Sequence, residues 1–155
     1  MGDHQGHDDT GEAKYARVFP LNTFPAYKYV VIFSRMHGKW LFSQHKERDT
    51  WETQGGHIEQ GETPLAAARR ELFEESGAVD FDITPVCDYW AGERTGSAVG
   101  VVFLAEIRAL GELPESEMKR VAAFDALPEE LTYPYITSEL FPFVEDWRKN
   151  AAKRA

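Results

Sequence analysis

The sequence predicts an α/β fold, a mixed β-sheet with helices covering its faces. Three observations carry this. Runs rich in β-branched and aromatic residues recur at strand length. Two other segments place their apolar residues at helical spacing. In chain order these read strand, strand, helix, strand, strand, strand, helix, with no repeat and no second domain. The 155 residues are enough for one domain with a self-sufficient core. Their 43% hydrophobic and 13% aromatic content is that of a globular chain rather than a disordered one.

Residues 1–14 are polar and without hydrophobic period, so a flexible tail is expected there, followed by a single domain over 15–155. Tyr27 to Ser34 is β-branched and aromatic, Met36-His37-Gly38-Lys39 turns, and Trp40 to His45 resumes as a strand; together they read as a hairpin. The charged loop Lys46 to Thr50 leads to a short stretch at Trp51 to Gln54 and the pair Gly55-Gly56. Thr63 is a good N-cap, Pro64 suits the first helical position, and Gly77 supplies the stop after Ser76. Phe81 to Trp90, Val99 to Ile107 and Lys119 to Phe124 read as strands separated by Gly- and Pro-bearing loops. A last helix is expected over Ser138 to Asn150, where Leu140, Val144 and Trp147 are spaced to face a core.

Composition also excludes functions. The 17 basic and 26 acidic side chains give a formal net charge of −9, whereas coating a nucleic-acid duplex needs a basic face that displaces counterions. The longest apolar runs are far too short to cross a bilayer, so no membrane partner is expected. No N-terminal stretch joins a basic end to an apolar block, and the lone Cys87, read as a core thiol, cannot form an internal disulfide. A cytoplasmic protein is expected.

Chemistry concentrates in Gly56 to Glu62 and Arg70 to Gly77. With Glu71 at zero on a helical wheel, Glu74 lies near about −60° and Glu75 near about +40°, so three carboxylates share one arc. Leu65, Ala66, Leu72 and Phe73 fall between about 100° and 220° and are expected to face the core. Ala67 and Ala68, earlier on the acidic side, are expected to leave space for something to dock. Like charges at these spacings repel, and an acidic helix face is often only a solvated one. This face is instead confined to one helix end, beside a glycine pair and Arg70. Clustered carboxylates are what a hard divalent cation requires, and Gly55 and Gly56 let backbone approach and offer a carbonyl oxygen.

These residues resemble the Nudix box, G-x5-E-x7-R-E-U-x-E-E-x-G-U, in which U is a bulky aliphatic residue. Gly56, Glu62, Arg70, Glu71, Leu72, Glu74, Glu75 and Gly77 fall in register. Seven fixed identities would coincide by chance roughly once in 10^9 starting points, so the resemblance is specific. Ala78 is a milder apolar residue at the last U. Thr53-Gln54 stands where MutT-like members usually carry Phe-Pro, a departure expected to reshape the pocket floor.

The resemblance implies a Nudix-type α/β/α sandwich around a mixed β-sheet, and hydrolysis of a nucleoside diphosphate linked to another group. It implies Mg2+, or Mn2+, held by Glu71, Glu74, Glu75 and the carbonyl of Gly55. Glu71 is then the candidate base for the attacking water, with Glu75 beside it, and Arg70 orients the carboxylates through charge-assisted hydrogen bonds. Glu62 is expected as a structural partner at the box loop. Glu106, late in its strand, is either a further acid at the site or an exposed strand-end residue.

For substrate contacts the candidates are Arg35, His45 and Arg48 toward phosphates, and Trp51, Tyr89 or Trp90 as stacking partners for a base; core packing competes for each aromatic. Gly38-Lys39-Trp40-Leu41 with His45, Arg48 and the box resembles a MutT-like subgroup acting on nucleoside triphosphates, including oxidised purine forms. ADP-ribose, a dinucleoside polyphosphate and an RNA 5′ end remain alternatives, as does a Nudix-fold nucleotide-binding regulator without turnover. An isopentenyl diphosphate isomerase is disfavoured, because its paired Cys and Glu are missing. The partner expected is a small-molecule nucleotide, and a homodimer stays open.

Overall fold

A computed structural model describes residues 6–7, 13–93 and 96–154. The described strands form one mixed sheet in the order β1-β2-β6-β7-β3-β4-β8, with β5 paired to β3. These are β1 (Gly6–His7), β2 (Ala13–Phe19), β3 (Tyr29–Met36), β4 (Lys39–His45), β5 (Gln54–His57), β6 (Ala78–Glu93), β7 (Gly96–Leu110) and β8 (Met118–Phe124). The helices are α1 (Pro64–Ser76), between β5 and β6, and α2 (Pro134–Arg154) at the end.

The centre is β3, parallel to β7 on one side. On its other side it meets two strands in succession. Its C-terminal half pairs with β4 as far as Ser34↔Leu41, and its N-terminal half pairs with β5 through Ile32↔Gln54 and Val31↔Gly55. The sheet therefore forks at Ser34. Beyond the fork β4 turns to β8, and an isolated backbone bridge, Ser43↔Glu52, ties it to the approach to β5.

Helices cover opposite faces, giving the three layers expected. On one face Ala67, Ala68 and Leu72 of α1 pack against Val30, Ile32, Phe103 and Ala105. On the other, Leu140 and Val144 of α2 pack against Phe33, Trp40, Phe42 and Leu104. Cys87 lies fully buried in this second cluster, its thiol pushed up to about 12 by burial and then by the neighbouring Asp88 charge. No helix among the described residues is long and apolar enough to cross a membrane.

Several elements differ from expectation. β2 forms where no element is expected, its small Ala16 buried against β6. β6 and β7 run beyond the expected ends, because each long strand supplies the other's hydrogen bonds from Ala78↔Leu110 to Glu93↔Gly96. The final helix starts at Pro134, where Pro needs no hydrogen-bonded N–H, and continues through Pro142. Of the tail expected over 1–14, residues 1–5 and 8–12 lie outside the described residues, and Gly6 and His7 pair with Lys14 and Ala13.

The orientation of α1 is the main correction. Leu65 and Phe73, expected in the core, stay 42% and 44% exposed, and Ala66 is exposed as well. Ala67 and Ala68 are instead fully buried. The room expected above these alanines is filled by the sheet, since two methyl-sized side chains let the helix backbone close onto β3. The acidic arc thus lies beside the seam between helix and sheet. Thr63 does cap this helix, accepting from Ala66 N–H at 3.1 Å, and Gly77 closes it in a left-handed conformation at φ 81°.

Candidate active site

A cleft of about 1030 Å³ opens where α1, β5, the loop before β8, the start of α2 and the outer ends of β6 and β7 meet. This lies just above the roughly 300–1,000 Å³ usual for small-molecule sites.

The glycine pair shapes its floor. A side chain at Gly55 would collide with the backbone carbonyl of Val30, so only glycine lets β5 lie this close to β3. A Cβ at Gly56 would occupy the place of the Glu71 carboxylate, coming 2.8 Å from its Cδ. The sequence therefore clears one position for the strand and the next for an acid.

Glu75 accepts a hydrogen bond from Gly55 N–H at 2.8 Å. Burial pushes its pKa up to about 9, with the Gly55 N–H opposing and the charges of Glu71, Glu52 and Glu117 adding. Glu71 is pushed to about 7, again mainly by burial, with Arg70 opposing and Glu74 adding. Arg70 gathers the acids. Its Nε and Nη2 donate to the two Glu62 oxygens at 2.7 and 2.9 Å, and Nη2 also reaches His57 O at 3.1 Å. Its Nη1 stands 3.3 Å from both Glu71 and Glu74. The Arg70 hydrogen bonds hold Glu62 down at about 2.

Of the residues proposed from sequence, Gly55, Glu71, Glu74, Glu75, His45 and Arg48 line the cleft, and Arg70 sits behind the acids. Arg48 hydrogen-bonds Tyr133 and lies 3.4 Å from Glu52, while His45 lies 3.7 Å from Glu117. Arg35 and Glu106 do not belong here. They pair with each other at 3.5 Å at the opposite end of β3 and β7, and the Arg35 guanidinium stacks over Trp40 under α2. Residue alternation explains this: Arg35 shares the Phe33 side of β3, the face that α2 covers.

The stacking candidates fare similarly. Trp51 packs on Phe124 and Trp90 on Tyr15, both outside the cleft, and Tyr89 lines it with only 3% of its surface exposed. Gln54 is not part of the floor either; it is fully buried between Ser34 and Ser43. Sequence reasoning missed Glu52, Glu117, Lys28, His57, Tyr29 and Tyr133, which the cleft does include. Glu52 lay within reach of notice, three residues before the glycine pair. Glu117 arrives through the backbone bond from Lys46 N–H to its carbonyl, a pairing across the fold that no local pattern marks.

The donor set fits a hard divalent cation. Glu71 and Glu75 sit side by side, largely withdrawn from water and next to further acids, so a cation there would offset both their burial and their mutual repulsion. Among the described residues no three acidic or histidine side chains already converge tightly enough to hold one ion. Arg70 accounts for part of that, drawing Glu71 and Glu74 toward its own charge.

With this geometry in view, comparison with known proteins is decisive at the level of family. The NUDIX domain model matches residues 24–146. The chain belongs to the NUDIX domain family. Among curated Nudix relatives it is 32% identical over 106 residues to YtkD of Bacillus subtilis, an 8-oxo-dGTP diphosphatase candidate by its name, covering 68% of this chain and 66% of that one. An RNA pyrophosphohydrolase of Bartonella henselae is 35% identical over 63 residues, covering 37% and 36%. These alignments span less than two thirds of either relative's own length. The crystal structure of the Bacillus subtilis pyrophosphohydrolase BsRppH superposes with a TM-score of 0.77 at 24% identity, over 95% of this chain and 96% of that one. The Nudix domain of Shewanella oneidensis NrtR, solved with ADP ribose, gives 0.62 at 17% identity, over 83% and 92%. Both establish the Nudix fold for this chain.

Proposed function

We propose that this protein is a metal-dependent pyrophosphohydrolase of the cytoplasm, one domain over 15–155, that cleaves a phosphoanhydride bond in a nucleoside 5′-triphosphate end. The observation that carries this is the largely buried pair Glu71 and Glu75 in a cleft whose acids outnumber its bases: Glu52, Glu59, Glu74, Glu115 and Glu117 are added, against Lys28 and Arg48. A polyphosphate enters such a cleft only with cations. Glu71, Glu74, Glu75 and the Gly55 carbonyl would hold Mg2+ or Mn2+, which supplies neutralisation of phosphate charge and acidifies the attacking water.

The protein's own groups do the rest. Glu71 accepts the proton of the attacking water, a role suited by its carboxylate lying against the Gly56 backbone beside Arg70. Arg70 keeps Glu71 and Glu74 aligned while it is itself anchored on Glu62. Arg48, His45 and Lys28 lie where phosphate oxygens reach. Positioning and electrostatics are the principal contributions in this class of displacement.

A free nucleoside triphosphate, including an oxidised purine form, is the first substrate. One feature favours a second, the triphosphorylated 5′ end of an RNA: the relatives that carry that name. Both present the same phosphate chain. Pyrophosphate and phosphate release should be measured on a panel of both kinds, with and without Mg2+. Metal-dependent turnover is expected for wild type and for Glu106→Gln, and its loss for Glu74→Gln plus Glu75→Gln. Folded wild-type protein that binds nucleotide without turnover would overturn the hydrolase reading in favour of a regulator.

A further inference from the structure

The departure at Gln54 has a structural counterpart at the fork of the sheet. Where β4 leaves β3, the polar groups between the two strands lose their ladder. Three side chains fill the gap, and all are buried: Ser34 at 1% exposure, Ser43 and Gln54 at 0%. Their hydrogen bonds run in one direction. Ser34 Oγ donates to Gln54 Oε1 at 2.6 Å, Gln54 Nε2 donates to Ser43 Oγ at 3.0 Å, and Ser43 Oγ donates to the backbone carbonyl of Glu75 at 2.7 Å. The second Gln54 N–H points to the Leu41 carbonyl at 3.5 Å, a backbone group left over at the fork.

The last link matters for the site. The carbonyl of Glu75 is one of those at the C-terminal end of α1 that no helical N–H satisfies. Its partner comes from the sheet. Gly55, the residue after Gln54, meanwhile donates its N–H to the Glu75 carboxylate. Glu75 is thus held at both ends by adjoining residues of β5: its carboxylate directly through Gly55, and its main chain through Gln54 and Ser43. A side chain pinned at both ends keeps one position relative to the Gly55 backbone, and that is the distance a shared ion would sense.

We propose that Gln54 and Ser43 are positioning residues for the metal site, fixing the last turn of α1, and with it Glu75, against the strand that carries Gly55. This rests on the hydrolase reading and deepens it. Between Ser34 and Ser43 of this chain, residue 54 must offer an acceptor to the first and a donor to the second, which an amide does. A carboxylate of the same shape supplies no donor, so it draws the only Ser43 proton to itself and frees the Glu75 carbonyl. An apolar residue or a proline at 54 supplies neither group.

The test is Mn2+ binding by the folded protein, followed by electron paramagnetic resonance or calorimetry, together with kcat and KM at saturating and limiting metal. Ser43→Ala removes one oxygen, and Gln54→Glu keeps volume while reversing the donor; near-ultraviolet circular dichroism establishes that each is folded. Both should bind Mn2+ roughly tenfold more weakly, within the ~10–100-fold range for partners that support metal ligands, and lower kcat more than they raise KM. Ser43→Thr, which keeps the hydroxyl, should recover most of the affinity. Folded Ser43→Ala and Gln54→Glu with wild-type Mn2+ affinity and wild-type kcat would overturn the inference, leaving the relay a packing feature. Wild-type protein that binds no Mn2+ would overturn the metal reading beneath it.

Discussion

At the residue scale, the protein keeps two glutamates where water would ionise them freely and folding discourages it. Glu71 and Glu75 have pKa values raised by folding from 4.5 to about 7 and about 9. A raised acid binds its proton more tightly folded than unfolded, so its contribution to stability is complete below the unfolded value and is lost as pH rises through the folded one. In chelator, the protein should lose stability steadily from pH 5 to pH 9. The loss should reach at least about 1 kcal/mol, because each tenfold difference in proton affinity between the folded and unfolded chain is worth about 1.36 kcal/mol. Glu75→Gln should flatten the part of that slope above pH 7. Thermal unfolding followed by circular dichroism across this range checks it, and a flat wild-type profile would refute the assigned burial of charge. Glu62 has the opposite sign: Arg70 lowers it to about 2, so its share of stability is present at neutral pH and disappears only in strong acid.

At the element scale, α1 shows what sequence discloses and what it conceals. Its ends were legible, because Thr63, Pro64 and Gly77 act through local backbone chemistry. Its clustered acids were legible too, because their spacing is itself the signal. Its rotation was not. Leu65 and Phe73 carry more apolar area than Ala67 and Ala68, so hydrophobicity alone turns the helix the wrong way. What decides is distance. Small residues on the acidic side admit β3 and β5 close enough to bury Leu72 fully and to bring Gly56 against Glu71. Leu72→Ala should therefore cost about 2–5 kcal/mol, the usual range for an emptied core leucine, whereas Phe73→Ala should cost under about 1 kcal/mol, as at other exposed positions. Urea denaturation separates the two, and equal losses would restore the rotation expected from sequence. The misplaced pair Arg35 and Glu106 has a related cause. Each side chain follows its strand's alternation, but which face holds the cleft is set by partners from distant parts of the chain.

At the scale of the whole molecule, the layered fold was readable because alternating strands and two amphipathic helices allow few arrangements, while the cleft was readable at α1, at Gly55 and at His45 and Arg48 but not beyond. Its other walls come from the loop before β8 and the start of α2, and those contribute Glu117 and Tyr133. The net charge of −9 gains its meaning from this convergence, since acids from four separate segments meet around one opening. A divalent cation that binds only the folded state stabilises it by mass action, about 2.7 kcal/mol at a hundred times its dissociation constant. For a chain of this length, each kcal/mol moves the melting point by roughly 2–4 °C. Saturating Mg2+ or Mn2+ should therefore raise Tm by roughly 5–10 °C, and by more at pH 8 than at pH 6, because Glu71 and Glu75 must shed protons to bind it. Sodium chloride of equal ionic strength separates binding from screening: screening softens repulsion among all the surface acids alike, whereas binding acts at the cleft alone. The double variant Glu71→Gln with Glu75→Gln should melt higher than wild type in chelator and gain little from Mg2+. Equal Tm gains from Mg2+ and from sodium chloride, or an undiminished Mg2+ gain in the double variant, would mean that the clustered acids are a surface property and not a site.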